Sequence, residues 1–508
     1  MTQGPLAREA LGRQAIRSGM LLAGGRLASR LLVVVRMITV ARWLGPEEMG
    51  VFGVALRAMT SLDAVTETGL TRALIQRQGD VSRFIRPVRT VQAIRGALLG
   101  LATFLLAPAI GSALHAPQAV GPVRAIAALP VITGLEPLFF PLSERRLQFG
   151  RVVALQSISA AGELVVGLAL AWWRPDAWSL VIARLAAALI RLAGCYVLSP
   201  DDRGMTLRLA PLRELRSFGG WVFASALLSY AFIHGGDWAI GRLLDLDALG
   251  LYTMAFSICT LATTEIAAVV HQVSFPVFSS IQDSLPRLRA AFGQSFGLLG
   301  MSTAGLASIL CAVAPDIPRT VLGEEWRGIV PLVPWLALWS LCSVLAGGIA
   351  MLFQALGRPR LWAATVAVML VIYATAIGPA TRRWGAPGVA ATMAILGVAM
   401  QAVRYVLVAR LLRMRYLDVL RHVAIPLGAA ALAFLATAAL RTVADPGPVG
   451  GLLAAGVLSA GLYGALLLAL GRWMQPHPSD LLGRLLPTRG GRAPGHPAAA
   501  EAAAEDAA

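Results

Sequence analysis

Long apolar runs separated by short polar turns set the pattern of the chain. Runs of about 20 residues, enough to cross a hydrocarbon layer of about 30 Å, fall at 19–41, 49–70, 88–110, 118–140, 152–172, 177–198, 217–241, 248–273, 290–313, 329–356, 361–380, 385–409, 420–440 and 449–471. The pattern predicts an all-α polytopic membrane protein with about fourteen transmembrane helices. The fourth and tenth runs carry internal prolines, Pro130 and Pro137 in one, Pro331 and Pro334 in the other.

A weak internal repeat organises these runs. Shifting the chain by 200 residues superposes Arg42 on Arg242, Leu44 on Leu244, Gly50 on Gly250 and Ala55 on Ala255. Six helices lie between equivalent points, and an even number returns the chain to the same side. The expected arrangement is therefore two parallel six-helix halves related by an axis along the membrane normal, with a substrate site at their interface. The boundaries that follow are an N-terminal arm at 1–18, a first half at 19–198, a linker at 199–216, a second half at 217–409, helices 13 and 14 at 410–473, and a Pro/Gly/Arg-rich then Ala/Glu-rich tail at 474–508 that reads as disordered.

Composition agrees with a membrane class. Hydrophobic residues make up 57% of the 508 and charged residues 14%, against about a quarter charged in soluble domains; mean hydropathy is +0.69. The net charge of +17 comes from 44 basic residues, all of them arginine. If the N-terminus is cytoplasmic, 27 arginines fall in cytoplasmic segments and 9 opposite, with the rest inside spans. That bias follows the positive-inside rule, so the charge is a topology signal with both termini cytoplasmic and implies no nucleic-acid partner. Cys195, Cys259, Cys311 and Cys342 lie in or beside apolar runs without metal-ligand spacing, so neither a disulfide nor a metal site is expected. The polar N-terminal arm and the long first run read as a retained anchor.

Candidate chemistry lies in charges placed inside the runs. A guanidinium at the bilayer centre costs at least about 2.5–3.5 kcal/mol, so intramembrane arginines should face a polar cavity. Arg26 and Arg30 sit one helical turn apart, and Arg57, Asp63 and Glu67 on the next helix fall on a compatible face, making this hairpin the candidate wall of an anion pathway. Internal pairing of the arginines with Asp63 and Glu67 is the competing structural explanation. Arg36 lies off the Arg26/Arg30 stripe and is expected to snorkel towards the turn. On helix seven Tyr230, His234 and Asp237 share a face, and on helix eight Thr260, Thr264 and His271 do, with Glu265 adjacent. His234, Asp237, Glu265 and His271 are candidates for Na+ or H+ coupling; the alternative is that Asp237 solvates at the membrane exit. Arg184 and Arg191 share a face of helix six without an evident partner. Asp245-Leu246-Asp247 has the form of a metal-nucleotide motif but sits in a short turn. No GxxxxGK[ST] or HExxH is present, which disfavours an ATPase or a metal-dependent hydrolase, and no other cofactor is expected.

Leu44-Gly45-Pro46-Glu47-Glu48-Met49-Gly50-Val51-Phe52, Glu67-Thr68-Gly69-Leu70-Thr71-Arg72 and the segment from Phe275-Pro276-Val277-Phe278 to Arg287-Leu288-Arg289 resemble words of the Wzx-type oligosaccharide flippases of the MOP exporter superfamily. The resemblance implies a V-shaped exporter in the bacterial inner membrane. It would move undecaprenyl-pyrophosphate-linked oligosaccharide repeat units outward for exopolysaccharide, capsule or O-antigen assembly. It further implies a cationic cavity at Arg26, Arg30 and Arg57, and a polysaccharide polymerase and export proteins as partners. Within the superfamily a lipid II flippase and a multidrug exporter are the alternatives; the latter calls for an acidic cavity, whereas the first half here is net basic. A glycan polymerase or ligase would normally bring a large outward loop, and the longest such segment is Ala314–Gly328. The chain is expected not to be an enzyme.

Overall fold

The computed structural model describes residues 5–66, 70, 81–145, 149–199, 204–208, 212, 220–443 and 447–470, with side chains undescribed for 5–31, 65, 144–145, 149, 220–226, 262, 266, 269, 272–273, 275–276, 442–443 and 448. The helices are α1 (Pro5–Thr66), α2 (Ser82–Ala113), α3 (Val120–Ile126), α4 (Ala128–Gly134), α5 (Phe139–Arg145), α6 (Phe149–Trp173), α7 (Ala177–Leu198), α8 (Gly220–Leu243), α9 (Leu246–Ser280), α10 (Leu285–Val313), α11 (Val333–Ala355), α12 (Pro359–Leu412), α13 (Tyr416–Val443) and α14 (Pro448–Leu470). The protein is all-α, and among the described residues nine helices are long and apolar enough to cross a membrane. It is a multi-pass membrane protein.

Glycine explains why two of these elements are each two helices. Gly45 in α1 has φ +75° and is followed by Pro46; Gly385 in α12 has φ +64° with Pro387 close behind. Positive φ is open to glycine without a Cβ penalty, and proline suits a helix start, so a new helix begins at once. The fourth predicted span departs from expectation. Instead of one helix over 118–140 it is α3, α4 and α5, broken at Ala127 and again at 135–138, where Pro137 removes a backbone donor. The segment read as the longest outward loop is likewise structured, with a π-helical turn at Pro318–Leu322 and a 3-10 turn at Glu324–Ile329.

Helices α1 to α7 pack among themselves, as do α8 to α12, and the two groups meet chiefly where α1 faces α8 and α9; α13 and α14 pack on α10. The repeat appears in three dimensions as a reciprocal contact. A Cβ on Gly50 would lie 2.1 Å from the Leu246 carbonyl oxygen, and one on Gly250 would lie 1.9 Å from that of Pro46. Each partner is its counterpart's equivalent after the 200-residue shift, the signature of a self-complementary interface about a pseudo-two-fold axis. At this end one core draws on both groups, from Val51, Val54 and Ala55 to Leu249, Tyr252 and Trp326. Trp326 Nε1 donates to the Ala41 carbonyl (3.2 Å). Towards the other end the cores are separate, one around Phe84 and Leu138 in the first group and one around Phe292 and Phe353 in the second. The predicted linker is described only at 204–208 and 212; there Thr206 N donates to Thr90 Oγ1 (2.9 Å). The tail at 474–508 lies outside the described residues.

Candidate functional site

Just beneath the glycine contact, α1 and α9 diverge enough to enclose a chamber of about 310 Å3. Its wall from α1 carries Arg36 and Arg57 among Val33, Met37, Phe52 and Leu56. Its wall from α9 carries Thr253, Ser257, Thr260 and Thr264. Among the described residues the lining holds two guanidinium groups and no carboxylate. The carboxylates that balance them belong to neighbouring helices. Arg57 Nε lies 2.8 Å from Asp237 Oδ2 on α8, and Arg36 pairs with Glu163 on α6. The Thr253 hydroxyl, buried at the chamber wall, has no hydrogen-bond partner.

The Arg57–Asp237 pair belongs to a polar seam joining the two groups of helices. Asp237 is buried, with 4% of its side chain exposed, and His234 Nδ1 lies 3.0 Å from the oxygen that Arg57 approaches. One turn away the Tyr230 hydroxyl is 2.7 Å from Thr60 Oγ1 and 3.2 Å from Ser61 Oγ, and Trp238 Nε1 donates to Ser61 Oγ (3.2 Å). The helical spacing that put Tyr230, His234 and Asp237 on one face therefore places that face against Arg57, Thr60 and Ser61. Burying an ion pair between helices is costly unless each charge keeps its partner, so the seam is polar only where partners meet.

Other expectations are redirected. Asp63 turns to α2, where Arg95 Nη2 donates to its carboxylate (2.6 Å) and its carbonyl (2.7 Å). Arg36 does not snorkel towards the turn, because Glu163 offers it a buried counter-charge. Asp237 does not solvate at a membrane exit. Arg184 and Arg191 find Glu163 (3.3 Å) and Glu136 (2.7 Å). The His271 ring packs on Gly347 of α11, where a Cβ would come within 2.6 Å of it, and Glu265 is half-buried beyond Thr264 on α9. The side chains of Arg26 and Arg30, and all of Glu67, lie outside the described residues. Glu163 was missed by sequence reasoning, although a lone carboxylate inside the apolar run at 152–172 was the available signal.

Comparison with known proteins follows this geometry. Lipopolysaccharide biosynthesis protein WzxC of Escherichia coli is 22% identical over 329 residues, covering 64% of this chain and 67% of that protein. Succinoglycan biosynthesis transport protein ExoT of Rhizobium meliloti is 25% identical over 307 residues, covering 60% of this chain and 62% of ExoT. The fold is similar to that of the lipid II flippase MurJ in an inward closed conformation, with a TM-score of 0.74 at 13% identity, covering 89% of this chain and 99% of MurJ. The family profile described as polysaccharide biosynthesis protein matches residues 39–331. Over more than half its length, then, and with the MOP-type helical fold around a basic chamber, the chain belongs to the polysaccharide biosynthesis protein family, the Wzx-type flippases.

Proposed function

We propose that the protein flips undecaprenyl-pyrophosphate-linked oligosaccharide repeat units outward across the bacterial inner membrane for exopolysaccharide, capsule or O-antigen assembly. The observation that carries this reading is the chamber lined, among the described residues, by Arg36 and Arg57 and by no carboxylate. A pyrophosphate cannot cross hydrocarbon unaided, and guanidinium groups offer it bidentate, charge-assisted hydrogen bonds. The roles of WzxC in lipopolysaccharide biosynthesis and of ExoT in succinoglycan transport support a saccharide cargo. The lipid stays in the bilayer while the head group passes between two halves, α1 to α7 and α8 to α12, that rock about the Gly50/Gly250 contact. With the arginine bias setting both termini in the cytoplasm, that contact faces outward. Pyrophosphate arriving at Arg57 displaces Asp237, whose carboxylate is left with His234. A proton taken up there offsets the unpaired charge and makes transport depend on pH.

The test is flipping of a fluorescent lipid-linked oligosaccharide in proteoliposomes. Hydrogen bonds to charged groups contribute about 1.5–3 kcal/mol, so Arg57→Gln should slow flipping roughly 10- to 150-fold at unchanged protein abundance. Unchanged flipping rejects the reading. Lipid II moved as fast as the oligosaccharide carrier in the same vesicles would assign the cargo to peptidoglycan synthesis instead. Asp237→Asn should abolish the dependence of flipping on pH; retained dependence removes the protonation step alone.

A further inference from the structure

A larger cavity, of about 540 Å3, lies inside the first group of helices, separate from the chamber. That volume falls within the roughly 300–1,000 Å3 of small-molecule sites. Three acid–base pairs from different elements face it: Asp63 of α1 with Arg95 of α2 (2.6 Å), Glu136 between α4 and α5 with Arg191 of α7 (2.7 Å), and Glu163 of α6 with Arg184 of α7 (3.3 Å). Gln156 of α6 adds an amide, and Phe140 of α5 with Pro137 and Leu138 forms an apolar edge.

The pairing identifies the ligand chemistry. Among the described residues each charge lining this cavity already has its opposite, so an anion or a cation would have to break a pair to bind. A guanidinium nevertheless carries five N–H donors and a carboxylate about four acceptor sites, far more than one contact between them uses. A pocket that is electrically paired yet dense in donors and acceptors, with an apolar edge, suits a neutral polyhydroxylated ligand. Vicinal hydroxyls donate and accept at once, and a sugar ring has an apolar face for Phe140.

The cavity is also adjacent to the chamber. Val33 lines both, and Glu163 binds Arg36 on the chamber side and Arg184 on the cavity side, so the partition there is one ion-pair cluster thick. We propose that this cavity is a glycan compartment: it receives the sugar residues of the cargo while the pyrophosphate stays on Arg36 and Arg57. This rests on the flippase reading above and adds a second site to it.

The experiment uses proteoliposomes of the full chain and three probes, undecaprenyl pyrophosphate carrying no sugar, one N-acetylhexosamine or a tetrasaccharide. Glu136→Leu combined with Arg191→Leu removes one pair without leaving an unpaired charge. It should flip the sugar-free carrier at the parental rate and the tetrasaccharide carrier at least about tenfold more slowly, as expected for one lost hydrogen bond to a charged group. Gln156→Leu with Ala160→Leu narrows the cavity without touching a charge and serves if the first variant does not fold; the same ordering is expected. Equal effects on all three probes, or none, overturn the compartment. Arg57→Gln should slow all three probes. Should it slow none, the chamber reading falls while the sugar-length ordering still decides the compartment.

Discussion

The two groups of helices solve the problem of a membrane interior in different ways. In the first, charges are sunk among apolar helices and paired across them, as Arg36 and Arg184 with Glu163 and Arg191 with Glu136, and the space between stays open as a cavity. In the second, aromatic rings fill the comparable interior: Phe292 and Phe296 stack at 4.9 Å, and Phe232 lies 4.7 Å from Tyr373. Along their most apolar stretches α10 and α11 are 56% and 78% buried and α12 28%, while α2, α6 and α7 reach 28–33%. The second group also carries α13 and α14 on its flank. Polar cargo needs paired charge and room, and a moving half needs a stiff body to work against. The division of labour follows from which group spends its interior on packing.

The largest expected effect breaks the comparison where the two groups touch. Gly50→Leu with Gly250→Leu sets a side chain against a backbone carbonyl on each side of the pseudo-two-fold axis, at positions where even a Cβ would come within about 2.1 Å of that oxygen. Ordinary overpacking costs about 1–3 kcal/mol; a main-chain obstacle cannot rotate away, so the cost here should exceed that range. The expected outcome is loss of the monodisperse protein on size-exclusion chromatography. Recovery at parental yield and melting temperature would show that the groups do not meet this closely.

A smaller pair of changes sharpens the contrast between packing and cargo. Phe353→Ala empties a fully buried site in the second group and should cost about 3–5 kcal/mol, read as a lower melting temperature with flipping per folded molecule retained. Gln156→Ala in the first group alters a side chain open to the cavity. It should leave stability within about 0.5 kcal/mol and slow only the carriers with longer glycans. The reverse assignment of effects would erase the distinction drawn between the groups.

How much of this was legible in the sequence differs along the same line. The apolar runs, the turn at Gly45-Pro46 and the 200-residue repeat are local or periodic signals, and the Gly50/Gly250 contact is the repeat made physical. Helical spacing likewise put Tyr230, His234 and Asp237 on one face. Spacing along one helix says nothing of which neighbour that face meets. Asp63 meets Arg95 on α2, and Arg57 meets Asp237 across the seam, partners that helical spacing alone did not indicate. Arg36 was misread for the same reason, since its partner stands 127 residues away on α6. The broken fourth span was hinted at by Pro137, but the break at Ala127 has no sequence signal that we can identify.

The smallest effect compares helix starts in the two groups. Helix α9 opens on Asp245, whose carboxylate accepts from Ala248 N at 2.7 Å. Helix α7 opens on Asp176, which accepts from Trp178 N at 3.1 Å, and has a second acceptor besides, because Glu48 of α1 takes the Ala177 N–H at 2.7 Å. Losing an N-cap carboxylate costs typically about 1 kcal/mol when no substitute exists. Asp245→Ala should therefore lower the melting temperature measurably, and Asp176→Ala should do so by less, because Glu48 still satisfies one of the exposed donors. The difference between the two should vanish in a Glu48→Gln background only if the amide oxygen fails to replace the carboxylate. Helix α7 thus draws part of its N-terminal stabilisation from the same turn that brings the two groups together.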